Sequence, residues 1–406
     1  MSSRSLNIGI CRMARSGAET RAMRNDTEIR PFRIDIPQAD LDELRDRLAR
    51  TRWANELPSA EETVQTGPVL PGWEYGVPLS YVKKLVAYWL EGYDWRRWEA
   101  RLNEHPQFTT TIDGQNIHFL HVRSPEPDAT PLILTHGWPN SVVEYLELIG
   151  PLSDPRSYGD DPADAFHLVI PSMPGFAFSG PTTEKGWSIS RIARAWAELM
   201  RRLGYDRYGA AGNDGGSQVS PEVGRCDADH VIGVHVTQIF SFPSGDPAEF
   251  EGLPPEDMAK LQFLQSFHEE MSGFAQLQAT KPQNLAHALA DSPAGQLAWS
   301  GQLLGDVVSP DAVITNAAIY WLTNTAASSA RLYYEDKHAD HPTEPTTVPL
   351  GLASFAYDFR SIRRFAERDH AAIVSWNEHD RGSHWSAHDA PDLLLADLRQ
   401  FYRKLR

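Results

Sequence analysis

Apolar positions along the chain fall into two textures, with a change at about residue 108. Before it, a short extended piece from Phe32 (FRIDI) leads into Pro37. Asp40-x-x-Glu43 has the form of a capping box, and Leu41, Leu44 and Leu48 recur at helical spacing. A Pro/Gly-rich stretch follows from Leu57 to Pro78, after which Ser80 is placed to cap a second helix. That helix, from Tyr81 to about Leu102, carries Leu85, Trp89, Trp95 and Trp98, an aromatic face suited to packing against a neighbouring domain.

From Phe108 short apolar runs alternate with helical ones. FTTTIDGQNIHFLHV reads as a hairpin turning at Asp113-Gly114. PLILTHGW, FHLVIPSMPGF, YGAAGNDGGS and VIGVHVTQI read as strands, and SISRIARAWAELMRRLGY as a helix ending at Gly204. This alternation predicts an α/β fold, a mostly parallel sheet flanked by helices. Between about Phe242 and Pro345 the pattern is purely helical; strand texture then resumes in VPLGLASFAYD and AAIVSWNEHD before a closing amphipathic helix. A sheet interrupted and then completed is one domain carrying a helical lid. The expected segments are a flexible tail (1–27), an N-terminal mainly helical domain (28–107), a first core part (108–241), the lid (242–345) and a second core part (346–406).

Composition narrows the function. The 406 residues are 41% hydrophobic, enough for a large core, and 38 Lys plus Arg against 54 Asp plus Glu leave a formal charge of −16. That balance argues against gripping nucleic acid or anionic lipid. No apolar run approaches the ~18–20 residues of a membrane helix. Cys11 and Cys226 are too few for a disulfide framework and not spaced as a metal site, so a cytoplasmic location is the simplest reading.

The most informative segment is Gly212-Asn213-Asp214-Gly215-Gly216, where a strand turns sharply into a helix between glycines. This is the pattern of a nucleophile elbow with Asp214 in the place usually held by Ser. The alternative is a plain Gly-rich turn. A carboxylate nucleophile is already ionised and suits displacement at a saturated carbon, leaving an alkyl ester that a His-activated water must cleave. His136-Gly137-Trp138-Pro139 closes the PLILT strand, and the N–H groups of Trp138 and Gly215 are the candidate oxyanion donors. His384, in a Gly/Ser loop before the last helix, is the candidate base, with His379 and His388 as rivals. The orienting acid is Asp358, after the FAY strand, or Asp380 in the loop of the His itself.

Together these segments, with RPFRIDIPQADLDELRDRLARTRW, GWEYGVPLSYVKKLVAYWLEGYDWRRWEARLN, LTHGWPNSVVEYLELIGPL and IPSMPGFAFSGP, resemble the microsomal-type epoxide hydrolases from about Pro31 to the C-terminus. The resemblance implies an α/β-hydrolase fold and conversion of an epoxide to a vicinal diol through an ester on Asp214. His384 and Asp358 would then cleave the ester, with no metal or organic cofactor. It also implies that lid tyrosines protonate the epoxide oxygen, one of them Tyr333, with Tyr334 beside it as the alternative. The second falls on Phe274, which has no proton to give, so Tyr320 is a substitute if geometry allows. Gly215 stands where many members carry Trp. The implied partner is a small-molecule epoxide, without nucleic acid and without the membrane anchor of mammalian members; a homodimer is left open. Halide displacement from a haloalkane by the same Asp, and a catalytically impaired lid-pocket binder, are the competing readings.

Overall fold

The computed structural model describes residues 27–57, 72–305 and 307–406. The expected tail at 1–27 therefore lies almost wholly outside the described residues, as does most of the Pro/Gly-rich stretch.

Among the described residues nine strands form one sheet: β1 (Arg30–Phe32), β2 (Gln107–Ile112), β3 (Gln115–Val122), β4 (Thr130–Thr135), β5 (Phe166–Pro171), β6 (Tyr208–Gly212), β7 (Val231–Val236), β8 (Leu350–Ser354) and β9 (Ile373–Glu378). Their order is β1-β2-β3-β5-β4-β6-β7-β8-β9. The first four in this order pair antiparallel and β5 onward pair parallel. The hairpin turn falls at Asp113-Gly114, both with positive φ (50° and 74°), which matches the twist of the flanking strands. The edge strand β1 shares only Phe32 with the expected extended piece FRIDI and lies mostly ahead of it, at Arg30 and Pro31; it ties the N-terminal segment to the sheet by a backbone ladder as well as by helix packing.

The helices before the lid are α1 (Gln38–Ala49), α2 (Leu79–Glu91), α3 (Trp95–Leu102), α4 (Leu146–Ser153), α5 (Ile189–Arg202) and α6 (Gly215–Cys226). Between β7 and β8, in the segment expected as a lid, lie α7 (Pro255–Glu270), α8 (Gly273–Thr280), α9 (Pro282–Asp291), α10 (Pro293–Leu304), α11 (Pro310–Leu322) and α12 (Ala326–Lys337). The chain closes with α13 (Arg363–Asp369), α14 (Ser386–Asp389) and α15 (Pro391–Arg403).

Three local expectations are corrected. No capping box forms at Asp40 and Glu43, because α1 starts a turn earlier, after Pro37. Ser80 does not cap α2, which begins at Leu79 after Pro78. In both cases proline fixes an extended backbone from which the helix can start without a side-chain acceptor. The long second helix is two helices, broken at Gly92, with Asp94 accepting from the Arg96 N–H to start α3. The aromatic face does pack: Trp89, Trp95 and Trp98 are buried in one core with residues of α4, α10, α11 and α15.

The sheet separates two cores, and strand alternation assigns residues between them. Leu132, Leu134, Leu168 and Ile170 face the core beneath the N-terminal helices. Ile133, Val169 and Ala210 face the other, shared with α5, α6 and part of the lid. Burial on both faces is why the central strands are continuous apolar runs. Their carboxyl ends open beneath the lid, where this sheet architecture places its ligand sites.

Candidate active site

Asp214 sits between β6 and α6 with φ 54° and ψ −118°, a strained conformation for a side chain other than glycine. The flanking glycines make that turn possible. A methyl group on Gly216 would collide with the Thr135 carbonyl at the end of β4, and one on Gly212 would strike the Gly216 backbone. Gly137 is a glycine for a related reason, since a Cβ there would overlap the Asp214 side chain.

The loop after β4 is held by His136, which is wholly buried. Its Nε2 lies 3.2 Å from the Met173 N–H, and its Nδ1 lies 3.0 Å from the Gly137 carbonyl. Burial lowers its pKa to about 4, so the imidazole is neutral, with Nε2 the acceptor and Nδ1–H the donor. The loop then directs the Trp138 N–H to Asp214 Oδ1 at 2.8 Å. Gly215 opens α6, so its N–H lies at the positive end of that helix.

His384 reaches both carboxylates. Its Nε2 is 3.3 Å from Asp214 Oδ2 and its Nδ1 is 2.9 Å from Asp358 Oδ1. Burial pulls the imidazole pKa down, but the charges and hydrogen bonds of Asp358 and Asp214 outweigh it and leave it well above the usual value. The rival histidines are engaged elsewhere. His379 pairs with Asp397, and His388 hydrogen-bonds Asn140. Asp358, not Asp380, is the acid that meets His384; the Phe359 N–H also donates to it.

The helical segment between β7 and β8 brings two aromatic rings to Trp138. Phe274 on α8 stacks on Trp138, and Tyr333 on α12 stands edge-on to both, at 6.1 and 6.2 Å. Burial, with the Asp214 charge adding to it, holds the Tyr333 phenol well above its ordinary pKa, so it keeps its proton. Two tyrosines of the sequence reading are corrected. Tyr320 is buried, but its hydroxyl donates to the Asn140 carbonyl at 2.8 Å, which commits its proton to a backbone acceptor. Tyr334 is 38% exposed and stacks on His338, because one step along α12 turns it about 100° away from Tyr333 and onto the face it shares with the residue four positions on.

Sequence reasoning missed a buried polar group beneath the elbow. Gln238, after β7, accepts from the Asp214 N–H at 2.9 Å. Asn213 donates to Glu144 at 2.8 Å, and burial, reinforced by the Asp214 charge, raises the Glu144 carboxyl to about 8. Position could have flagged two of them: Gln238 follows the strand beside the elbow, and Glu144 is a lone charge in the apolar run SVVEYL. Among the described residues no three His, Cys, Asp or Glu gather to hold a metal ion, and no helix is long and apolar enough to cross a membrane.

Comparison with known proteins finds similarity to epoxide hydrolases. The family model for the epoxide hydrolase N terminus matches residues 29–145. A Stigmatella aurantiaca protein named "Putative epoxide hydrolase" is 42% identical over 389 residues, covering 93% of this chain and 86% of its own length. Epoxide hydrolase 1 of Sus scrofa is 29% identical, with 94% of this chain and 90% of its own covered. Among solved structures, Aspergillus niger epoxide hydrolase superposes with a TM-score of 0.79 at 28% identity, covering 93% of this chain and 97% of its own. Juvenile hormone epoxide hydrolase of the silkworm Bombyx mori gives 0.80 at 25% identity, covering 93% and 95%.

Proposed function

The chain belongs to the epoxide hydrolase family, an enzyme of the α/β-hydrolase fold acting on a small-molecule epoxide, and from that premise we propose how its own residues divide the reaction. Asp214 is the nucleophile. Its Oδ2 attacks one epoxide carbon while Oδ1 stays on the Trp138 N–H. The carbon–oxygen bond of the ring breaks as the Tyr333 phenol gives its proton to the departing oxygen. The product is an ester of Asp214 bearing the first hydroxyl of the diol.

His384 then takes a proton from water, which attacks Asp214 Cγ. The Trp138 and Gly215 N–H groups stabilise the charge that develops on Oδ1. Collapse breaks the Cγ–Oδ2 bond and releases the diol. The two protons of the water end on the second product hydroxyl and, through solvent, on Tyr333. Forming the ester removes the Asp214 charge that helped hold a proton on His384, so the base is readied by the step before it.

The observation that carries this reading is the position of His384 between Asp214 Oδ2 and Asp358 Oδ1. The Tyr333 hydroxyl supports an oxygen leaving group over a halide, since a displaced halide has no need of its proton. A single turnover of styrene oxide in H₂¹⁸O tests it. The label is expected in the Asp214 carboxylate and not in the diol, and Asp214→Ala should be inactive. Label appearing in the first-turnover diol would overturn it.

A further inference from the structure

Gln238 lies just past β7, is 1% exposed, and spends its whole amide on the reacting residues and their supports. Its Oε1 accepts from the Asp214 N–H at 2.9 Å and from the Ser217 hydroxyl at 3.1 Å. Its Nε2 donates to Asp358 Oδ2 at 2.6 Å and to Asn213 Oδ1 at 2.8 Å. The chemistry of the partners fixes which way the amide points: a backbone N–H must face the oxygen, and a carboxylate must face the nitrogen. One planar group thus ties the strained backbone of Asp214 to the outer oxygen of Asp358, leaving Asp358 Oδ1 for His384.

We propose that Gln238 is a positioning residue that locks the nucleophile's backbone and the acid's carboxylate to one another and so sets the line of His384 onto the ester. This rests on the roles proposed above for Asp214, His384 and Asp358. A neutral amide suits this role because it holds the Asp358 carboxylate in place without cancelling the charge that orients the imidazole. The ionisable groups facing His384 are Asp214 from the elbow, Asp358 from the loop after β8 and Glu144 from the turn after β4. Removing the amide leaves the Asp358 carboxylate less stabilised and freer to hold the His384 proton. It also leaves the Asp214 N–H without its acceptor.

The test separates the two half-reactions in Gln238→Leu and Gln238→Glu, using rapid-quench trapping of the ester from styrene oxide. Ester hydrolysis should fall on the order of 10- to 100-fold, more than alkylation does, so that ester accumulates beyond its wild-type level. The acidic limb of the hydrolysis rate should move to higher pH in both variants. Gln238→Glu has nearly the same shape, so it decides the matter alone if Gln238→Leu does not fold. Both steps falling by the same factor, or neither changing, with the limb unmoved, would show a merely structural residue. Wild-type enzyme trapped without any ester would instead sink the roles given to Asp214 and His384.

Discussion

Phe274 lies face to face with Trp138, their ring centroids 5.5 Å apart and their planes 11° from parallel. The same Trp138 donates its backbone N–H to Asp214 Oδ1. The ring of Phe274, at the position where the resemblance implies a second lid tyrosine, also stands edge-on to Tyr333.

Phe274→Tyr should keep that stack and add a donor. The expected outcome is a rise in kcat/KM for styrene oxide of about tenfold or more, expressed in the alkylation rate. Ester hydrolysis should be unchanged. Rapid-quench measurement of both steps checks it, and a loss of alkylation rate would show that the hydroxyl points away from the epoxide.

Tyr333→Phe and Tyr320→Phe should behave differently. The first removes the proposed proton donor, and alkylation should drop by about 10²–10³-fold. The second removes a buried bond to the Asn140 carbonyl, costing about 1 kcal/mol of stability with little effect on rate. Thermal unfolding and single-turnover kinetics on both variants check this, and equal rate losses would contradict the assignment.

The pH dependence has a defined sign. The pKa of His384 is raised in the free enzyme by Asp358 and Asp214 together, against burial. Protonated, it occupies Asp214 Oδ2 and cannot serve as a base, so activity is lost as pH falls through its pKa. Esterification removes one of the two carboxylate charges. The acidic limb of ester hydrolysis should therefore lie at lower pH than that of kcat/KM. The reverse order would mean that Asp214 does not help hold the proton.

Gly216→Ala tests the elbow itself. The added methyl meets the Thr135 carbonyl, which is fixed in β4 and cannot yield cheaply. A loss of about 3 kcal/mol in unfolding free energy, with Asp214 displaced and activity abolished, is expected. Denaturant titration checks it.

Much of this was legible in the chain because period and spacing carry it. The doubly buried strands announced themselves as apolar runs, and two glycines around Asp214 marked a turn that few backbones tolerate. Local signals failed where a neighbour one step away changed the outcome. Pro37 and Pro78 started α1 and α2 ahead of the side chains that looked like caps, and Gly92 divided an aromatic stripe that reads as continuous.

The sequence by itself determined the fold class, the elbow with its carboxylate, and a small set of histidines and acids. Only the tertiary structure decided among them. It gave His384 to Asp214 while His379 went to Asp397 and His388 to Asn140, and it turned Tyr333 inward while Tyr320 was spent on a carbonyl. It also brought Gln238 under two residues, one 24 and the other 120 positions away. The reason is physical. A strand or turn follows from neighbours within a few residues, whereas a hydrogen-bond partner is set by which strand ends converge at the sheet's edge, and that depends on the whole sheet order.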